Sequence, residues 1–161
     1  MTLDLFSERS RVIVGCDPDS KAHGIAIYQN GDLVRLCTMN NVEVVGLVNS
    51  GKSKQIDIKF SIEDVASQGF IYTRNVQHSK AAQSKVARNL GQCQQAQIEL
   101  MLWLDNLEVP YALHKPQKHN WAENAAIFKR TTGWDGRSNK DTRSAAFFGY
   151  LEAARQMRGQ P

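Results

Sequence analysis

Apolar residues along this chain repeat with two different periods, and the changes of period predict the order of strands and helices. Residues 11–17 form one continuous apolar run, which is typical of a strand buried on both faces. Four further segments have the length and pattern of strands and are flanked by turn residues. The dipeptide Asn30-Gly31 favours a tight hairpin turn, and Pro110 favours an edge strand. The five predicted strands are residues 11–17, 23–29, 33–38, 56–64 and 108–114.

Four other segments carry apolar residues at the three- and four-residue spacing of a helix with one buried face. The predicted helices are residues 42–50, 78–106, 121–130 and 141–157, and residues 65–77 and 131–140 are predicted loops. This order of elements predicts an α/β fold, in which helices flank both faces of a mixed five-stranded sheet. Right-handed crossovers would place the fourth strand parallel beside the first.

Three acidic residues stand at the ends of predicted elements. Asp17 ends the first strand, Glu63 lies near the end of the fourth, and Asp141 begins the final helix. If the first and fourth strands are parallel neighbours, Asp17 and Glu63 lie at the same edge of the sheet. Separated carboxylates in such places are what a metal-dependent phosphodiester hydrolase needs. Each also has a simpler interpretation: a turn residue for Asp17, a solvated strand end for Glu63, and a helix N-cap for Asp141.

The charge of the chain is unevenly distributed. The net charge is +4, but residues 1–65 carry 7 basic and 9 acidic residues, whereas residues 115–161 carry 9 basic and 4 acidic ones. Residues 66–100 are also basic. Acids flanked by basic surface suit a polyanionic substrate, although ordinary solvated faces would look the same.

Cysteine usage and the N-terminal sequence bear on the compartment. The cysteines Cys16, Cys37 and Cys93 are widely spaced without a CxxC pair, which favours free thiols in a reducing compartment. The first eight residues carry acids where a signal peptide has basic residues, and no apolar run reaches membrane-spanning length. We therefore expect a cytoplasmic protein without membrane contact, in the host cytoplasm if the protein is viral.

Four sequence stretches resemble the RuvC-type Holliday junction resolvases of the ribonuclease H-like superfamily. The stretch 15–20, with Gly24 after it, resembles the opening G-x-D-P-G-x…G segment of that family. Stretch 61–65 resembles its second acidic strand, stretch 89–92 its L-G-Q/E motif, and stretch 140–146 its final D-x-x-D-A segment. The resemblance covers nearly the whole chain, and it implies a single nuclease domain over residues 1–161. The divergent small-residue pattern favours a phage-encoded branch.

Two positions depart from the family pattern. Asp19 replaces the usual Gly after the Pro, which alters the turn and adds a charge near the expected metals. Ser144 stands where the family usually has a fourth acid or a His. Either that fourth contact is lost, or another group such as Asp135 supplies it.

The resemblance implies hydrolysis of a DNA phosphodiester assisted by two Mg²⁺ ions about 4 Å apart, with Mn²⁺ as a substitute. Asp17 would bridge both ions, Glu63 would bind one, and Asp141 the other. Lys118, or alternatively Lys140, could stabilise the charge that develops on the scissile phosphate. Asp64 points to the opposite face from Glu63 and is interpreted as structural.

The expected partner is branched DNA, a four-way junction above all. In the resembling family, the loop after the second acidic strand stacks an aromatic residue on a base, and the long helix helps to form a twofold homodimer. The predicted DNA-binding residues are Phe70, Tyr72, Arg74, Lys80, Lys85, Lys115, Lys118, His119, Lys140 and Arg143. Two alternatives stay open: a catalytically silent branched-nucleic-acid-binding protein, and a YqgF-like RNA-processing nuclease.

Overall fold

A computed structural model describes residues 10–68 and 79–159 of the chain. The elements in chain order are β1 (Arg11–Asp17), β2 (His23–Gln29), β3 (Asp32–Met39), α1 (Asn41–Ser53), β4 (Asp57–Glu63), α2 (Lys80–Asn106), β5 (Tyr111–His114), α3 (Ala125–Thr132) and α4 (Lys140–Met157). Each predicted strand and helix has its counterpart among them. The boundaries differ most at β5 and α3, which begin three and four residues later than predicted, and at α1, which ends three residues later.

The five strands form one mixed sheet in the order β3-β2-β1-β4-β5. The first three strands are antiparallel, and β4 pairs in parallel with both β1 and β5. The β2–β3 hairpin turns at Asn30 and Gly31, whose φ angles of 51° and 93° are the positive values that such a tight turn requires. The predicted parallel pairing of the first and fourth strands and the edge position of the fifth are therefore confirmed.

Helices cover both faces of the sheet, because alternate residues of each central strand point to opposite sides. One apolar core joins alternate residues of β1, beginning with Val12, to α1 and to Leu100 and Leu104 of α2. The other joins Ile13 of β1 and Tyr28 of β2 to α3 and α4. The α/β ribonuclease H-like architecture expected from the sequence thus has its α1 and α2 layer on one side and its α3 and α4 layer on the other.

Helix α4 approaches the sheet very closely at a pair of glycines. A Cβ atom on Gly15 of β1 would lie 2.1 Å from the carbonyl oxygen of Ala145, and one on Gly149 would lie 2.8 Å from the Tyr28 ring. Two hydrogen bonds hold the helix there: the Tyr28 hydroxyl donates to the Ala146 carbonyl at 2.7 Å, and the Ser61 hydroxyl donates to the Phe148 carbonyl at 2.6 Å. This contact fixes the first turns of α4 above the carboxyl end of β1.

The predicted loop 65–77 lies only partly within the described residues. Phe70, Tyr72 and Arg74, which were predicted to contact DNA, are outside them. The cysteines are free thiols, as expected, with Cys16 buried and Cys37 and Cys93 half-buried. Across the described ranges, none of the helices is both long enough and apolar enough to cross a membrane.

Candidate active site

The carboxyl ends of β1 and β4 bring Asp17 and Glu63 together. The two strands run parallel in register, with Cys16 opposite Ile62, so the next residue of each strand stands at the same edge of the sheet. Asp17 and Glu63 are half-buried on the face that α4 covers. Their side chains are close enough to share a hydrogen bond. The predicted proximity of the two acids is therefore what the fold produces.

The chemistry of this pair is set by burial and mutual repulsion. Burial, followed by the negative charge and hydrogen bond of Glu63, raises the pKa of Asp17 to about 8. Burial also raises the pKa of Glu63. Two carboxylates this close cannot both ionise without cost, so without a cation the pair holds one proton to unusually high pH. None of the ion pairs within residues 10–68 and 79–159 involves either acid.

The strand end that carries Glu63 is anchored to α2. Gln97, which is fully buried, donates from Nε2 to Asp64 Oδ1 at 2.9 Å and accepts from the Ala66 backbone N–H at 2.8 Å. Asp64 also accepts from the Ser67 backbone N–H at 3.2 Å. The structural interpretation of Asp64 is therefore confirmed, and the position of Glu63 is fixed by its neighbour.

Helix α4 contributes Ser144 and Asp141 above this edge. The Ser144 hydroxyl lies within hydrogen-bonding reach of Asp17 and lowers its pKa, whereas the charge of Asp141 raises it. The backbone of Asp141 packs on Gly24, where a Cβ atom would lie 2.5 Å from the Asp141 carbonyl oxygen. Gly24 is itself the β2 partner of Asp17. Asp141 is thus one strand away from the acid pair, with its side chain exposed.

The alternative interpretation of Asp141 as a helix cap is wrong. Asn139 caps α4: its side chain accepts from the Thr142 backbone N–H at 2.8 Å, and Thr142 Oγ1 accepts from the Asn139 N–H at 2.9 Å. Asp141 is left free of a capping role at the end of the sheet that carries Asp17.

The donor set at this edge suits a divalent cation. Within the described part of the chain, no three His, Cys, Asp or Glu side chains are already close enough to hold a metal ion. Asp17 and Glu63, however, present half-buried carboxylate oxygens to each other, and Asp141 acts on Asp17 through its charge. Carboxylate oxygens are the ligands that Mg²⁺ and Mn²⁺ prefer, and such an ion would offset their repulsion. That the three acids bind a metal ion stays a prediction. Asp135, the alternative fourth metal contact, is not among the charged groups that shift the pKa of Asp17.

The turn after Asp17 is held by a histidine that the sequence did not single out. His23, which is 2% exposed, accepts at Nδ1 from the Asp19 backbone N–H at 3.2 Å, and its Nε2 lies 2.8 Å from Asn41 Oδ1. These contacts define a neutral ring, and burial lowers the pKa of His23 accordingly. The Asp19 carboxylate accepts from the Lys21 backbone N–H at 2.9 Å, so the departure at this position closes the turn.

Helix α2 borders the site through Cys93. The Ser20 backbone N–H lies within hydrogen-bonding reach of the Cys93 sulfur. Burial, then the charge of Asp19 and more weakly those of Asp17 and Asp141, raises the pKa of this thiol. No local pattern predicts this proximity, since the helix follows Asp17 by more than sixty residues. The middle of α2 therefore stands beside the turn that follows the first acid.

Five of the predicted DNA-binding residues in the described chain lie on α2 or between β5 and α3. Exposed side chains of Lys80 and Lys85 extend from the first turns of α2. The exposed Lys115, Lys118 and His119 lie between β5 and α3.

The remaining two predicted DNA contacts stand at the start of α4. Lys140 is exposed and pairs with Glu123 at 2.6 Å. Arg143 is half-buried, and its guanidinium donates to the carbonyls of Trp121 and Ala122, at 2.7 Å in the shortest of these bonds. Arg143 therefore attaches the preceding segment to α4, and its contact with DNA stays a prediction.

The same fold is found in RuvC of Thermus thermophilus. A structure described as RuvC in complex with a Holliday junction substrate is 13% identical to this chain, and the match covers 92% of this chain and 96% of that one, with a TM-score of 0.58. A second Thermus thermophilus RuvC structure is 15% identical, with 91% and 96% coverage and a TM-score of 0.49. No family model and no curated protein matches the sequence. The likeness confirms the predicted α/β ribonuclease H-like fold.

Proposed function

We propose that this protein is a metal-dependent, structure-selective DNA endonuclease that cuts four-way junctions and related branched DNA. One observation carries the proposal: two half-buried carboxylates, Asp17 and Glu63, meet at the edge of a RuvC-like sheet, and no ion pair within residues 10–68 and 79–159 involves either of them. An uncompensated acid pair is costly, and it is retained where an external cation uses it. The solved relative with this fold is described with a Holliday junction, which supports branched DNA as the substrate class.

Asp17, Glu63 and Asp141 would hold Mg²⁺, with Mn²⁺ as a substitute. When bound, the ions supply activation of the attacking water and stabilisation of the leaving oxygen. The chain's own part is to release the proton shared by Asp17 and Glu63, so that both carboxylates are available as ligands. Ser144 favours that release because its hydroxyl stabilises the charged form of Asp17. Lys118 would stabilise negative charge on the scissile phosphate.

The exposed cations are proposed to hold the DNA backbone on either side of the acids. Lys115, Lys118 and His119 extend from the segment before α3, and Lys140 stands at the start of α4. Lys80 and Lys85, and beyond the described residues Phe70, Tyr72 and Arg74, would contact the arms and the branch point. Arg143 adds positive charge while it holds the carbonyls of the same segment.

A twofold homodimer would place two such sites for paired cuts. The second half of α2 leaves large apolar side chains uncovered: Ile98 is 43% exposed, Leu102 59% and Trp103 47%. A second copy packed on this face would bury them. We therefore expect a dimer in light scattering, and we expect Leu102→Glu to convert it to a monomer. A wild-type protein that is monomeric at micromolar concentration would remove this part of the proposal.

We further propose that residues 1–161 act as a single nuclease domain in the cytoplasm, or in the host cytoplasm if the source is a phage. The rival that a specific observation favours is a catalytically silent junction-binding protein. Ser144 stands where the resembling family has an acid or a His, and no three acids are already assembled in the described part of the chain.

Labelled four-way junction, linear duplex and single-stranded RNA test these functions in one experiment, each incubated with and without Mg²⁺ or Mn²⁺. Paired nicks near the branch point, with metal only, are the expected result. Junction binding with no cleavage in either metal would favour the silent binder. Cleavage of RNA alone would favour the YqgF-like nuclease and contradict the junction assignment.

A further inference from the structure

Asn120 lies in the segment between β5 and α3, and its side-chain amide is held in one orientation. Its Oδ1 accepts a hydrogen bond from the Ala122 backbone N–H at 2.9 Å. The other end of the amide, Nδ2, lies 3.4 Å from the hydroxyl oxygen of Ser144. Because an amide nitrogen can only donate, the Ser144 oxygen accepts this hydrogen bond.

Ser144 therefore has its single proton left to donate elsewhere. Its side chain is buried, with 3% exposure, beneath the first turns of α4. The Asp17 carboxylate is within its hydrogen-bonding reach and can only accept when ionised. The polarity of the contacts thus runs in one direction, from the Asn120 amide to the Ser144 hydroxyl and on to the Asp17 carboxylate.

We propose that Asn120 and Ser144 are positioning residues for Asp17, acting as a chain of two hydrogen bonds that fixes the orientation of its carboxylate for a divalent cation. This inference rests on the proposed function, because it assigns Asp17 as a metal ligand. Ser144 contributes a dipole at this position where an acid would contribute a charge. Groups that orient metal ligands in this way strengthen metal binding without touching the ion.

The segment that carries Asn120 is rigidly attached to α4, which such a role requires. Arg143 donates to the carbonyls of Trp121 and Ala122, the two residues that follow Asn120. The Trp121 ring is 6% exposed and packs edge-on against Phe147 with ring centroids 5.5 Å apart. Movement of Asn120 relative to Ser144 is thereby restricted from both the polar and the apolar side.

The same chain of hydrogen bonds links the acid pair to the basic segment before α3. Lys118 and His119 immediately precede Asn120 and are exposed. A phosphate bound by these side chains would act on the backbone next to the Asn120 amide.

The test measures Mn²⁺ affinity of the metal-free protein at pH 8 by electron paramagnetic resonance, so the readout does not depend on cleavage. We expect Asn120→Ala to weaken Mn²⁺ binding about 5-fold and Ser144→Ala about 10-fold, the second value being the lower end of the range found when groups that orient ligands are removed. Because the two act in series, the double variant should be no weaker than Ser144→Ala alone. Asn124→Ala, which removes the cap of α3 from the same segment, is the matched control and should leave Mn²⁺ affinity unchanged.

The positioning role would be overturned by Mn²⁺ binding of Ser144→Ala equal to that of the wild type, or by effects of the two substitutions that multiply in the double variant. An equal loss of affinity in Asn124→Ala would also contradict it, because general loosening of the segment would then be sufficient. Wild-type protein that binds no Mn²⁺ at millimolar concentration would instead refute the proposed function itself. Circular dichroism of each variant separates loss of binding from loss of folding.

Discussion

Two carboxylate sites lie beneath α4, and they differ in how buried negative charge is balanced. Under the second half of the helix, Glu152 is 2% exposed and forms an ion pair with Lys59 of β4. Arg155 Nη1 lies 3.8 Å from its other oxygen, and His114 Nε2 lies 3.9 Å from it. Burial lowers the pKa of His114, so the two cations are Lys59 and Arg155.

Under the first half of the helix, Asp17 and Glu63 face each other instead. Their pKa values are raised by burial, and Asp141 adds further negative charge. Strand β4 carries a lysine, Lys59, at the first site and an acid, Glu63, at the second. The charge of Glu152 is thus balanced within the fold, whereas we propose that Asp17 and Glu63 bind a cation from outside the protein.

The largest expected effect is on cleavage by the uncompensated pair. Asp17→Asn should lower the cleavage rate of a four-way junction at least ~1000-fold, on the order of 4 kcal/mol of transition-state stabilisation, and leave junction binding largely intact. Asp57→Asn, an exposed acid at the opposite end of β4, is the control and should cleave normally. Substantial cleavage by Asp17→Asn would exclude the pair from the chemistry.

The second effect is on stability at Glu152, whose charge is balanced by Lys59 and Arg155. Lys59→Met should lower the free energy of unfolding by about 3 kcal/mol, because it leaves the buried Glu152 carboxylate without its partner. The Lys59→Met/Glu152→Leu double variant should recover most of that loss, since no buried charge remains. Urea denaturation measures both. A single variant as stable as the wild type would show that Arg155 alone balances Glu152.

The third effect is a gain in the free energy of unfolding when one acid of the Asp17–Glu63 pair is neutralised, in contrast to the loss expected for Lys59→Met. In metal-free protein, Asp17→Asn should raise the free energy of unfolding at pH 8 by ~1 kcal/mol or more. Each kcal/mol corresponds to a rise in Tm of about 2–4 °C for a chain of this length. The pKa of Asp17 is raised in the folded state, so the folded protein binds more protons and loses stability as pH rises from about 4 towards 8.

An Asn side chain does not ionise, so the Asp17→Asn variant lacks this loss of stability as the pH rises. The difference in Tm between the variant and the wild type should therefore grow with pH and level off above pH 8. Thermal melts at pH 5, 7 and 9 in EDTA measure it. A difference that is constant with pH would mean that Asp17 and Glu63 do not share a proton in the folded protein.

The smallest effect is expected outside both sites. Lys118→Met should weaken junction binding modestly and reduce the slope of log affinity against log salt by about 1, the value for one phosphate contact. Lys129→Met, on the exposed surface of α3, is a matched control for loss of one charge. A salt slope unchanged by Lys118→Met, or changed equally by Lys129→Met, would remove Lys118 from the specific DNA contacts.

The sequence predicted the sheet and the acid pair because both follow from local periodicity. The apolar run at 11–17 and the alternation at 56–64 define two strands, and crossover handedness makes them parallel neighbours. The pairing of these two strands is sufficient to predict that Asp17 and Glu63 lie close together. Asp141 was predicted from its position at the start of the final helix, and it lies near the pair without a capping role.

The remaining contacts could not be predicted, because they join residues that only tertiary packing brings together. Lys59 occupies a polar position of an alternating strand, which reads as solvent-facing, yet it reaches Glu152 beneath α4. Ser144 looked like a lost ligand, and its contact with Asn120 depends on how the preceding segment docks. His23 lies in an apolar strand, and nothing local signals its hydrogen bond to the Asp19 backbone.

A calorimetric titration of metal-free protein with Mg²⁺ and Mn²⁺ at pH 8 measures whether Asp17 and Glu63 bind an external cation. We predict saturable binding by the wild type with release of a proton, and loss of that binding in Asp17→Asn. The same titration of Asp57→Asn should match the wild type. Absence of binding at millimolar metal, or binding that Asp17→Asn leaves unchanged, would contradict the account.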